Sequence, residues 1–234
     1  MAASGIGFGL FTAVFGIVSP AQEPHAFHNT IVAALLIVIS APPAVAVARS
    51  PEQAVRPLVI LAAVAVSALA TMAVALTLDP FTLPFVVLVG VLWALMPGRA
   101  GAQPAGRSNF VLVGLSVVAG IALAPYVIEQ AGLQRTDHAS EHAAFFHWVE
   151  MAFYATAIPL LGLLAGVRPR ADRPAAWAAA VALAVMGVAS IVFAEYASAL
   201  PAPWGWAALV GSLAFFAVAG FDARRHSSSH PGAS

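Results

Sequence analysis

Residues 137–151 read DHASEHAAFFHWVEM, three histidines and three acids in a stretch that is otherwise apolar or small. Imidazole and carboxylate together are a ligand set for zinc, copper or iron, and they are also the groups that carry protons. On a continuous helix His138 and His142 face one way, with Glu141 beside them. His147 then points to nearly the opposite side, and Glu150 follows three residues on. A second group, EPHAFHNT, holds His25 and His28, which share a face if a helix begins there; Pro24 suits a first helical turn. Two such pairs on neighbouring helices would close a metal site. The candidate ligands are therefore His25, His28, His138 and His142, with Glu141 joining them or orienting an imidazole from behind. An acid at the depth of Glu150 in an apolar helix is costly unless it faces the bundle interior and has a partner. His147 and Glu150 accordingly read as a buried pair that passes protons or locks packing. The plain alternative is that all these groups face water at helix ends, Asp137 and Glu141 merely complementing a helix dipole.

The elements that must hold these side chains are membrane spans. The chain has 234 residues, 61% hydrophobic and 9% charged, whereas soluble domains carry roughly 25% charged residues. So few charges cannot cover a soluble surface. The expected fold is all-α, a polytopic integral membrane helix bundle. Eight apolar stretches approach the roughly 20 residues that a span needs: 5–20, 29–48, 57–78, 81–97, 109–128, 142–166, 174–194 and 203–221. The first and fourth are short, and seven helices is the alternative count. Turn chemistry separates them, in SPAQEP, RSPEQAVRP, LDP, MPGRAGAQPAGRS, RPRADRP and LPAPWG. The first stretch lacks the basic segment of a signal peptide and is read as a retained helix. Residues 1–222 form one transmembrane domain, and 223–234 a disordered tail in which His226 and His230 carry no chemistry. Pro42-Pro43 is expected to bend or break the second span.

All ten basic residues are arginines. With eight spans, Arg49, Arg56, Arg99, Arg107, Arg168, Arg170, Arg173, Arg224 and Arg225 fall on one side and only Arg135 on the other. The positive-inside rule makes the arginine side cytoplasmic, with both termini inside. Both histidine groups then lie at the outer face, with Trp204 and Trp206 in an interfacial belt. The chain has no cysteine, which excludes disulfides and thiolate metal sites. Without lysine there is no retinal Schiff base. A net charge of zero argues against a nucleic-acid partner.

In the order of its motifs the chain resembles the CtaG-type membrane assembly factors associated with heme-copper cytochrome c oxidases. A histidine pair enters a helix that runs to an Ala-Pro-Pro step, HAFHNTIVAALLIVISAPPAVAVAR, His25 to Arg49. Pro125 and Tyr126 precede an H-x-x-E-H-x-x-F string made of His138, Glu141, His142 and Phe145, and Pro159 and RPRADRP follow it. The likeness covers most of residues 20–222. The chain departs from the family where the first pair is three apart rather than four, where Phe27 replaces a Gln, and where PAPWGWAAL replaces a polar entry to the last helix. The resemblance implies a protein of the bacterial plasma membrane. It implies copper handling at the outer face during oxidase maturation, with oxidase or other respiratory subunits as partners, and no enzymatic activity of its own.

Three other functions fit parts of the pattern. A b-type heme protein would use His28 and His147 as axial ligands. A non-catalytic accessory subunit of a respiratory complex would use the Ala- and Gly-rich helix faces. A zinc-dependent membrane hydrolase would use Asp79, His138 and His142. HASEH also fits the string of inverted zinc proteases, but only Glu195 is available there as a further outer acid. No inverted repeat points to a transporter.

Overall fold

The computed structural model describes residues 25–96, 108–167 and 173–227. Among these the chain forms helices and turns only, with no strand. In chain order the helices are α1 (Ala26–Arg49), α2 (Val55–Ala75), α3 (Leu83–Leu95), α4 (Phe110–Thr136), the short α5 (Glu141–Ala144), α6 (His147–Val167), α7 (Arg173–Val192) and α8 (Ala202–Ser227). Six of them, α1, α2, α4, α6, α7 and α8, are long and apolar enough to cross a membrane, and α3 is shorter. Seven of the eight expected spans therefore have a helix. The eighth, 5–20, lies outside the described residues, as do Arg99, Arg107, Arg168, Arg170 and residues 228–234 of the expected tail, whose first residues, 223–227, are instead helical and continue α8.

Two departures from the expected spans bear on the site. Pro42-Pro43 does not break α1. Leu35–Ser40 is wound as a π-helix, and an ordinary α-helix resumes at Ala41 with the prolines in its first turn. Proline donates no N–H and its ring crowds the carbonyl four residues back. The wider turn lies where those carbonyls, of Val38 and Ile39, fall. The second departure is larger. The expected helix 142–166 is two helices, α5 and α6, separated by Phe145 and Phe146. Phe146 has φ 63°, in the left-handed region.

The bundle is built around α6, whose Tyr154, Ala155, Ala157, Ile158 and Leu161 are fully buried. It packs on α4, α2 and α7, and α1 closes against α7 and α6. Small residues set the spacing. A Cβ added at Gly166 would lie 2.7 Å from Val113 Cγ2 and 2.9 Å from the Val113 nitrogen of α4. One at Gly187 of α7 would lie 2.7 Å from the Gly205 carbonyl oxygen of α8. Such close backbone approach is how helices associate where burial from water supplies no drive. Buried hydroxyls find carbonyls across the contacts: Tyr154 donates to Ala182 O at 2.8 Å, and Ser212 to Ala180 O at 2.8 Å. The outward faces carry large apolar side chains, among them Val118 and Ile121 on α4 and Val210 and Leu213 on α8. In water such faces would be an aggregation hazard; in lipid they are matched.

Short connections make consecutive helices antiparallel. One end of the bundle therefore gathers the start of α1, the α2–α3 turn, the end of α4, segment 137–146 and the start of α6. His25, His28, His138, His142 and His147 are at this end. Arg49, Arg56 and Arg173 are at the other.

Candidate metal centre

His25 stands at the N-cap of α1 and His28 on its first turn, His142 on α5, and His147 and Glu150 on the first turn of α6. The ring centroid of His25 is 4.9 Å from that of His142 and 5.0 Å from that of His147. His142 and His147 are 5.4 Å apart, at 89°. His28 and His147 stack at 3.6 Å and 23°. His28 Nε2 meets Glu150 Oε2 at 3.1 Å, and His25 Nε2 meets Glu141 Oε2 at 3.6 Å. Two sets of three donors result, each with ligand atoms within 4.8 Å of one another: His25, His142 and His147, and below them His28, His147 and Glu150. Bonds of about 2 Å to a tetrahedral ion place ligand atoms about 3.3 Å apart, so rotamer shifts of this size close either set on an ion.

The break at Phe146 makes the constellation. On one continuous helix His142 and His147 would diverge, as the sequence implies. The left-handed residue turns the chain between them, so both rings face His25. A non-Gly residue at positive φ is uncommon, and here it is held in place: Phe146 packs on the core and its ring lies 6.3 Å from that of Phe81 in the α2–α3 turn.

Segment 137–146 is positioned by its own polar groups. Asp137 Oδ1 accepts the N–H groups of Ala139 and Ser140 at 3.2 and 3.1 Å. Its Oδ2 accepts from the Ser140 hydroxyl and, at 3.1 Å, from the Trp148 indole. Ser140 Oγ in turn caps α5 by accepting from Ala143 N–H, and Gln134 of α4 donates to Ala143 O at 3.0 Å. Trp148 stacks on His142 at 4.8 Å. The Ser140 hydroxyl, then the backbone N–H groups and the indole, hold Asp137 at about 2, below its usual 3.8. Burial keeps His142 below the ordinary imidazole range, with His25 adding to the effect. Its lone pair is therefore free at neutral pH.

The structure brings together His25, His28, His142, His147 and Glu150, with Glu141 at the rim, its side chain 78% exposed. His138 lies exposed in the turn before α5 and belongs to neither set. Residue spacing put it beside His142 on a helix, but the turn held by Asp137 occupies residues 137–140 instead. His147, paired by spacing with Glu150 alone, is the one residue common to both sets. Asp79 is buried, with Oδ1 accepting Phe81 N–H at 2.8 Å, and is in neither set. Its Asp-Pro step after an apolar run signals a turn; nothing in the sequence says that the turn packs beneath histidines. The buried glutamines Gln130 and Gln134 were likewise not singled out by the sequence.

Known proteins add nothing to this geometry: no family model, no curated protein and no solved structure matches the chain.

Proposed function

We propose that the chain is a multi-pass protein of the bacterial plasma membrane that binds a transition-metal ion, copper first, in the histidine pocket at the outer end of its bundle. The observation that carries the reading is the convergence of four imidazoles and a carboxylate from three separate helices, with the Nδ1 atoms of His25, His28 and His147 buried and unpartnered. A buried nitrogen without a partner costs about 1–3 kcal/mol. Three in one pocket are hard to justify as packing, and a bound ion would satisfy those that turn toward it. Imidazole suits copper and zinc alike. Zinc and copper sites of this kind need no thiolate, in keeping with a chain that has no cysteine.

The order of motifs shared with CtaG-type factors supplies the destination: copper handling during assembly of a heme-copper oxidase, with the oxidase or another respiratory subunit as partner. A site of nitrogen and oxygen donors without sulfur suits transfer better than storage. A b-type heme fits the pocket less well. His28 and His147 are stacked at 3.6 Å, face to face, with no space for a porphyrin between them.

Elemental analysis and absorption spectra of detergent-purified protein test this reading. After copper loading, about one ion per chain is expected. The double variant His142→Ala/His147→Ala should lose it, and His138→Ala should keep it. A wild-type protein that takes up no copper sinks the proposal, and a Soret band would replace it with the heme reading.

A further inference from the structure

The two donor sets are not equivalent. The upper set, His25, His142 and His147, offers three imidazoles, each partly exposed, beside the solvated Glu141. The lower set, His28, His147 and Glu150, offers two imidazoles and a carboxylate, and the side chains of His28 and Glu150 are only 7% and 14% exposed. Asp79, a second buried carboxyl group, is within electrostatic reach of both His28 and Glu150. His147 belongs to both sets, with its ring 3.6 Å from His28 and 5.0 Å from His25.

We infer that the pocket is two stations for one ion, an upper exchange station and a lower holding station, joined by His147 as the ligand that stays bound while the others change. The inference rests on the metal-binding reading above. An ion arriving from the outer face meets the three upper imidazoles first. It then exchanges His25 and His142 for His28 and Glu150, a move of a few ångströms about His147. Only metal–ligand bonds form and break, the ion keeps its oxidation state, and any proton on a donor atom leaves to water. The direction follows from charge. The upper set has only the exposed, solvent-screened carboxylate of Glu141 beside it, whereas the lower set contributes a carboxylate as a ligand where the surroundings are least polar and attraction is strongest. Two ions do not bind together. They would repel at this separation, and His147 would have to bridge them as an anion. His28 Nδ1, in a residue 6% exposed, has no hydrogen-bond partner, and the same holds for the Nδ1 of His147, the ligand shared by both stations.

Full-length protein in detergent, loaded with Cu(II), provides the test. Stoichiometry, electron paramagnetic resonance and the rate of stripping by a chelator are read on wild type, Glu150→Gln and His25→Ala. Wild type should bind about one ion with nitrogen hyperfine structure from two imidazoles. Glu150→Gln, which preserves shape, should bind as many ions but show three imidazole nitrogens and lose copper about tenfold faster or more. His25→Ala should keep the wild-type spectrum and be loaded and stripped about tenfold more slowly. His142→Ala is the parallel variant should His25→Ala not fold. An unchanged spectrum and stripping rate in Glu150→Gln, loss of all copper in both upper variants, or two ions in wild type would each overturn the two-station scheme while leaving a metal site in place. No copper in wild type would remove the metal-binding reading and the scheme with it.

Discussion

At the scale of single residues, the histidine pocket depends on groups that belong to neither donor set. Asp137 reads in the sequence as an acid that complements a helix dipole, yet both its oxygens are committed to building the turn that presents His142. Its charge favours the fold only while it is ionised. Because its folded value is depressed to about 2 from 3.8, the contribution is complete above about pH 4 and is lost as the pH falls toward 2. Asp137→Asn should therefore melt below wild type at neutral pH, with the gap closing between those two values. A gap that persists unchanged at the acid end would show that the carboxylate charge is not what matters. The same residue explains a limit of the sequence. Histidines three or four apart were legible as a ligand pattern, and His25, His28 and His142 do converge. His138 does not, because helical spacing applies only where the chain is helical. An aspartate that captures the N–H groups of the residues two and three positions on competes with the helix.

At the scale of elements, apolar length announces the spans but not the interruptions. The boundaries of α1, α2 and α7 fall close to those expected, since a run of about 20 apolar residues has few alternatives. The break between α5 and α6 had no such signal. Left-handed positions usually carry Gly or Asn, and here the sequence is FFH. The left-handed penalty, about 1–2 kcal/mol, is of the same order as the gain of about 1.5–3 kcal/mol from burying a large side chain; Phe146 is partly buried and packed on the core, so the fold can bear it. This gives a paired prediction. Phe146→Gly keeps the backbone geometry and should still bind copper, with stability lowered by about 1 kcal/mol as packing is lost and strain relieved. Phe146→Pro fixes φ near −65°, which is incompatible with 63°. It should separate His142 from His147 and abolish binding while the helical circular dichroism stays. Copper uptake by the proline variant would mean that the break does not assemble the site.

At the scale of the whole molecule, the chain sorts its chemistry along one axis. Imidazoles and most carboxylates gather at one end of the bundle, while Arg49, Arg56 and Arg173 are at the other. Under the positive-inside rule this asymmetry directs the histidine pocket to the outside, the side on which the proposed copper handling requires it. That premise is what makes a transfer role coherent, and it can be tested without disturbing the site. Because the chain has no cysteine, any single introduced thiol reports its own side of the membrane. Ala139 lies exposed beside the pocket, and Glu52 is exposed in the turn between α1 and α2 at the opposite end. Neither belongs to a donor set. In spheroplasts, a membrane-impermeant maleimide should label Ala139→Cys at once and Glu52→Cys only after the membrane is permeabilised. The reverse pattern would place the histidines in the cytoplasm. An ion bound there would be drawn from a different pool, and the comparison with oxidase assembly factors would lose its physical basis even if the pocket binds copper well.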